Sequence, residues 1–130
     1  MKTLILILMF ILFSGFSYSE KSELSVNEIN KIVNAIYKAE NSRMHPYGIM
    51  RSYCLPDDPN GQCRKGCFQT VEKWGKTLDY KNIGDFIVKL SKIYCPLETY
   101  NGNNYNKTPN ANWIKNVTFF YNQNKKGKGK

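Results

Sequence analysis

Apolar residues recur at steps of three and four positions in four separate stretches of this chain, and this spacing restricts the fold more than any other feature. Such a pattern places the apolar side chains on one face of an α-helix. The rows are Ile29, Ile32, Val33 and Ile36; Cys63, Cys67, Val71, Trp74 and Leu78; Phe86, Ile87, Leu90, Ile93 and Tyr94; and Trp113, Ile114 and Val117. The sequence therefore predicts an all-α domain, or a mainly α domain with a short hairpin near residues 47–53.

Local signals predict where these helices begin and end. Ser25 followed by Glu28 has the pattern of a capping box, and Pro46 prevents the first helix from extending far beyond residue 40. Gly75 is predicted to end the second helix. The polar, Asn-rich residues 97–108 predict a long loop, and Asn110 or Asn112 is predicted to cap the last helix.

The two ends of the chain differ from the middle in composition. Residues 1–19 have the pattern of a secretory signal peptide, with a basic start, an apolar run over residues 4–13 and small residues before a cleavage point. Residues 20–122 then form one domain, and residues 123–130 form a basic flexible tail that ends in KKGKGK. We expect an exported protein, periplasmic or secreted, without a transmembrane segment after the leader is removed.

The net charge of the full chain is +9, and removing the leader, whose one charge is that of Lys2, leaves +8. A basic exported protein is suited to an anionic polymer or surface. Peptidoglycan, teichoic acid, phospholipid and nucleic acid all fit that description, and the charge alone does not choose among them.

Four cysteines lie in the predicted mature domain: Cys54, Cys63, Cys67 and Cys95. An even number in a small exported domain predicts two disulfides, and three pairings are open from the sequence alone. A zinc site is the competing interpretation, but spacings of nine, four and twenty-eight residues lack the paired CxxC pattern of such sites. We therefore expect neither a metal nor a cofactor.

Glu40 continues the first apolar row four residues after Ile36, so its carboxyl group is predicted to point along the buried face at the end of that helix. A carboxylic acid in such a place is what a glycosidase uses to protonate a leaving oxygen. The only histidine, His45, precedes Pro46 and has no evident nucleophile near it in the sequence, which favours a turn residue.

Two strings around Glu40, AIYKAEN and PYGIM, resemble the catalytic segment of the lytic transglycosylases and goose-type lysozymes. Two later strings, DFIVKLSKIYCP and NWIKNV, resemble blocks of a small, secreted, cysteine-containing branch of that superfamily. The resemblance covers most of residues 29–117. It implies a single lysozyme-like domain stapled by disulfides, in which Cys67 pairs with Cys95 and Cys54 with Cys63.

The same resemblance implies an activity, cleavage of the β-1,4 bond between N-acetylmuramic acid and N-acetylglucosamine. Glu40 matches the catalytic position, where one glutamate protonates the glycosidic oxygen and then takes the proton of the muramic 6-hydroxyl, giving 1,6-anhydro ends. Gly48 and Ile49 match the backbone strip that holds substrate, and Tyr94 matches a tyrosine near the glutamate. Tyr47 is a further candidate, because its ring offers a stacking face.

The sequence departs from the family pattern at two positions. Asn41 stands where a serine usually follows the glutamate, and Arg51 stands where a glutamine is expected. Two alternatives therefore stay open: a non-catalytic cationic protein or toxin that binds the wall or membrane, and a hydrolytic lysozyme in which Asp57 or Asp58 positions water. The expected partners are peptidoglycan strands and a secretion apparatus that opens the wall, with no nucleic acid, and the protein is expected to be a monomer.

Overall fold

The computed structural model describes residues 23–101 and 104–126 of the 130-residue chain, so the predicted signal peptide and the last four residues of the tail lie outside it. The elements, in chain order, are α1 (Val26–Glu40), a 3-10 turn (Pro46–Gly48), α2 (Gln62–Thr77), α3 (Ile83–Tyr94), β1 (Leu97–Asn101), β2 (Asn104–Thr108) and α4 (Ala111–Lys126). The prediction of a mainly helical protein is confirmed.

The helical faces predicted from the apolar spacing meet in one core. Helix α1 makes its most extensive contacts with α4, and α2 and α3 close the core around them. The fully buried side chains include members of all four predicted rows: Ile32, Val33, Ile36, Val71, Phe86, Leu90 and Val117. No helix within residues 23–101 and 104–126 is long and apolar enough to cross a membrane.

The predicted helix caps are present where the sequence indicated them. The backbone N–H of Glu28 donates to Oγ of Ser25 across 3.2 Å, and the Glu28 carboxylate accepts from the backbone N–H of Ser25 across 2.9 Å. At the start of α4, Oδ1 of Asn110 accepts from the backbone N–H of Trp113 across 3.1 Å. Each cap satisfies an N–H group that has no partner within its helix.

The hairpin lies in a different place from the prediction. Residues 47–53 contain the 3-10 turn and further turns, whereas residues 97–101 and 104–108, which belong to the predicted loop, form the antiparallel pair β1–β2 with Leu97 opposite Thr108. The many asparagines of this segment obscured the strand preference of Thr99, Tyr100 and Tyr105.

Two helices continue beyond their predicted ends. Helix α2 does not stop at Gly75 but runs to Thr77, and Gly75 is buried at a point where a β-carbon would lie 2.9 Å from Cδ1 of Leu24. This glycine therefore permits close packing and does not terminate the helix. Helix α4 reaches Lys126, four residues into the segment predicted to be a flexible tail.

One of the two predicted disulfides is present. Cys54 is bonded to Cys63, which closes the turn that precedes α2. Cys67 and Cys95 are both free, so the predicted second bond is absent from this structure. Each of these sulfur atoms has a different polar neighbour. The neighbour of Cys67 is the Tyr94 hydroxyl, and that of Cys95 is Nδ2 of Asn110, which lies 3.6 Å from the sulfur.

Candidate functional site

Glu40 is the last residue of α1, and the chain reverses direction directly after it. Asn41 takes the left-handed conformation, with φ 42° and ψ 40°, and its backbone N–H caps the helix by donating to the Tyr37 carbonyl. Asparagine tolerates this conformation better than most residues. Asn41, which stands where the lytic transglycosylases usually have a serine, therefore has a local structural role, because it ends the helix at the candidate acid.

The Glu40 carboxylate is held by a residue from the opposite end of the chain. Nε1 of Trp113 donates a hydrogen bond to Oε1 of Glu40 across 2.8 Å. Trp113 is 6% exposed and lies in the first turn of α4, which the Asn110 cap anchors. The sequence assigned Trp113 only to the core, and the amphipathic spacing of α4 gives no indication that its N–H group meets a carboxylate.

Gly48 lies directly against the same carboxyl group. A β-carbon at this position would lie 2.9 Å from both Cδ and Oε1 of Glu40 and 3.2 Å from Oε2. The backbone of Gly48 also has a positive φ of 67°. Glycine is therefore required here for two reasons, conformation and space, and the predicted proximity of Gly48 to the catalytic position is present in the structure.

Tyr94 connects the 3-10 turn with the Trp113 ring. Its hydroxyl donates to the backbone carbonyl of Tyr47, and its ring lies 5.7 Å from that of Trp113, centroid to centroid, at an interplanar angle of 31°. Burial raises the pKa of the Tyr94 hydroxyl, and the charge of Glu40 acts in the same direction. The group thus keeps its proton and remains a donor to the turn.

Tyr47 does not provide the stacking face that the sequence predicted. It is 7% exposed, and its ring packs against Tyr37 with centroids 4.9 Å apart. Its backbone is in the left-handed region, with φ 60° and ψ 17°, which is unfavourable for a bulky residue and recurs at functional sites. Its contribution to the site is the carbonyl that accepts from Tyr94, so the side-chain prediction is wrong.

A groove with a volume of about 350 Å³ opens beside this cluster. Its walls come from the segment after the 3-10 turn, from α2 and from the end of α3: Gly48, Ile49, Met50, Arg51, Thr70, Ile93 and Tyr94. Gly48 both lines the groove and touches the Glu40 carboxyl group. Three of the predicted substrate-binding residues, Gly48, Ile49 and Tyr94, therefore lie together at one groove next to the predicted acid.

The two aspartates considered for positioning water are engaged elsewhere. Both oxygens of Asp58 accept backbone N–H groups at the start of α2, from Cys63 at 2.9 Å and Arg64 at 3.0 Å. Asp57 forms a two-pronged ion pair with Arg43, at 3.1 Å for each hydrogen bond, which holds the pKa of Asp57 below its usual range. Both residues thus have clear structural partners.

His45 is exposed, and its backbone N–H donates to Oγ of Ser42, as in a turn. Within the part of the chain that the structure describes, no three His, Cys, Asp or Glu side chains are grouped so that they could hold a metal ion.

Comparison with known proteins gives no match to a family model, to a curated protein or to a solved structure.

Proposed function

We propose that this protein is an exported lytic transglycosylase with a lysozyme-like fold, which cleaves the β-1,4 bond between N-acetylmuramic acid and N-acetylglucosamine in peptidoglycan. The observation that supports this proposal is the placement of the Glu40 carboxyl group. Trp113 fixes one oxygen, and Gly48, which lies against the carboxyl group without a side chain, also lines the groove together with Ile49 and Tyr94.

In the proposed reaction Glu40 first acts as an acid and then as a base. It gives its proton to the glycosidic oxygen as that bond breaks, while the N-acetyl group of the muramic acid assists at the anomeric carbon. The carboxylate then takes the proton of the muramic 6-hydroxyl. As this proton leaves, the hydroxyl oxygen bonds to the anomeric carbon, which closes the 1,6-anhydro ring. A second carboxylate is not needed as nucleophile, in contrast to the usual two-carboxylate arrangement.

Two neighbours of Glu40 suit it to this double role. The Trp113 N–H is a neutral donor that does not titrate, so it can hold Oε1 in both protonation states of the acid. Gly48, which also lines the groove, leaves the space beside the carboxyl group free of a side chain. A positioned group of this kind typically contributes about a hundredfold to ten-thousandfold in rate.

The test is mass spectrometry of the muropeptides that the purified protein releases from peptidoglycan. Products with 1,6-anhydro ends support the proposal, and reducing ends would indicate a hydrolase instead. The absence of released products would indicate a binding protein.

The matched variants are Glu40→Gln and Glu72→Gln. Glu40→Gln keeps the size of the side chain and should lower product release by about a hundredfold or more, because the transferable proton is lost. Glu72 is paired with Lys76 on the surface of α2, so Glu72→Gln should release products at the wild-type rate. Near-normal release by Glu40→Gln would rule out Glu40 as the acid.

A further inference from the structure

Gly66 is an unexpected residue in the interior of α2, because glycine there weakens a helix relative to alanine. The structure gives a reason for it. A β-carbon on Gly66 would lie 3.0 Å from the hydroxyl oxygen of Tyr53 and 3.4 Å from Cδ1 of Ile49. The missing side chain therefore makes a notch in α2, in which the end of the Tyr53 side chain rests against the helix.

A second hollow, with a volume of about 280 Å³, lies at this notch and is lined by Tyr53, Gln62, Lys65, Gly66 and Gln69. The four α2 residues and Thr70 of the groove beside Glu40 follow one another at alternating steps of three and one, and so share one face of the helix. From Gln62 to Thr70 this face is about 12 Å long. The hollow and the groove are thus consecutive along α2. The wall that faces α2 includes Ile49 in the groove and Tyr53 in the hollow.

The groups in this hollow match the chemistry of an amino sugar. The amides of Gln62 and Gln69 donate and accept hydrogen bonds, as the hydroxyl and acetamido groups of such a sugar require. Tyr53 is 44% exposed, and its ring face carries the partial negative charge that attracts the C–H groups of a pyranose ring. The described residues that line the hollow contribute one cation, Lys65, and no carboxylate.

We propose that this hollow is a distal subsite, which binds a hexosamine unit of the glycan strand away from the bond that is cleaved at Glu40. The proposal rests on the proposed function for the identity of the strand. It adds that substrates long enough to extend from the groove to Tyr53 bind more tightly than shorter ones. Gly66 and Tyr53 act as specificity-determining residues for chain length.

The test uses full-length Glu40→Gln protein, which holds the ligand without cleaving it, and β-1,4-linked N-acetylglucosamine trimers and hexamers as probes. Titration calorimetry should show that the hexamer binds more tightly than the trimer. Adding Tyr53→Ala should weaken hexamer binding about tenfold, because the stacking face is lost. Adding Gly66→Ala should weaken it less than Tyr53→Ala does, because the new methyl group fills the notch and moves the end of the Tyr53 side chain by only a few tenths of an ångström.

Two controls separate this effect from general damage to the fold. Phe119 of α4 is 55% exposed, so Phe119→Ala removes an exposed aromatic ring and should leave hexamer binding unchanged. Gly66→Ala should also melt no lower than its parent, since alanine strengthens a helix. Loss of hexamer affinity without loss of stability is therefore the expected signature of the subsite.

Failure of the subsite and failure of the proposed function give different results. Full hexamer affinity in both variants would overturn the subsite, even if the wild type cleaves peptidoglycan. A loss of affinity in both variants supports the subsite, even if the wild type releases no product. Binding of neither oligomer, together with no product release, would overturn both proposals.

Discussion

The Nε1–H group of Trp113 donates to Oε1 of Glu40 across 2.8 Å, although 73 residues separate the two along the chain. The carboxyl group at the end of α1 therefore takes its orientation from the first turn of α4. That turn is itself set by the Asn110 cap and by the packing of α4 on α1. The position of the candidate acid thus depends on the complete fold and not on the helix that carries it.

Replacing Trp113 with phenylalanine should remove this donor while keeping most of the packed ring. A hydrogen bond to a charged group contributes about 1.5–3 kcal/mol, so we expect kcat to fall by about tenfold or more. KM should change little, because the groove walls are untouched. Steady-state kinetics on a soluble glycan fragment would measure both values.

Trp74→Phe is the matched control, since Trp74 is the other tryptophan of the chain and is half-buried on α2. It should leave kcat unchanged. The two indole N–H signals in an NMR spectrum provide a second measurement, in which Glu40→Gln should shift the Trp113 signal more than the Trp74 signal. An unchanged Trp113 signal would argue against the hydrogen bond.

The elements of the fold could be predicted from the sequence where one local signal dominates. Helix α1 begins at the Ser25 cap and ends at Glu40 as expected, because the apolar row, the capping box and Pro46 all agree. The predicted position of the hairpin was wrong because the strand-forming residues of β1 and β2 are mixed with asparagines. Asparagine prefers turns, so the local composition predicts a loop. Strand pairing is a non-local interaction that composition does not reveal.

The candidate site could be predicted only in part, and for the same reason. The family resemblance pointed to Glu40, Gly48, Ile49 and Tyr94, and the structure places the last three at one groove next to Glu40. Nothing in the sequence indicated that Trp113 binds Glu40. The spacing of apolar residues in α4 shows which side chains are buried, but not which polar atoms form hydrogen bonds with each other. For Tyr47 the sequence could not show that the ring is buried against Tyr37.

Gly48→Ala should lower activity by more than the strain of a left-handed alanine alone would explain. The added methyl group would lie 2.9 Å from the Glu40 carboxyl carbon, which has to move. The left-handed backbone adds a strain of about 1–2 kcal/mol. We expect product release to fall by about a hundredfold, because a misplaced acid cannot reach the glycosidic oxygen.

Gly61→Ala provides a closely matched control for that experiment. Gly61 has nearly the same φ, 66°, but a β-carbon there would have no atom within 4 Å. This variant should lose a similar amount of stability from strain and keep its activity. Equal losses of activity in the two variants would show that the contact with Glu40 is unimportant.

Tyr94→Phe should lower stability and activity together. The change leaves the Tyr47 carbonyl without its donor, and an unsatisfied buried acceptor costs about 1–3 kcal/mol. The 3-10 turn that places Gly48 against Glu40 would also lose a fixed point. Urea unfolding and product release measure the two effects, and Tyr37→Phe, at a tyrosine that is 51% exposed, should change neither.

The cysteines make a prediction about mass and one about pH. With one disulfide and two free thiols, the intact protein should weigh two hydrogens less than its fully reduced form. Cys67 is buried and Cys95 is half-buried, so alkylation of the folded protein should modify Cys95 first. A loss of four hydrogens would show instead that Cys67 and Cys95 are joined.

The stability of the folded protein should fall with rising pH above about 9, and Cys67 should account for part of that fall. Burial raises the pKa of the Cys67 thiol from its ordinary value of 9.0 to about 12. Between these two values the unfolded chain releases the thiol proton while the folded protein keeps it. The unfolded state then binds fewer protons, so the free energy of unfolding decreases by up to about 1.4 kcal/mol per pH unit. Below pH 9 both states keep the proton, and the contribution is constant.

Urea unfolding of the wild type and of Cys67→Ala at pH 8, 9 and 10 would measure the contribution of Cys67. The variant should start from a lower stability, because a buried side chain is truncated, but lose less between pH 9 and pH 10. Parallel pH profiles for the two proteins would show that the Cys67 thiol does not keep its proton in the folded state.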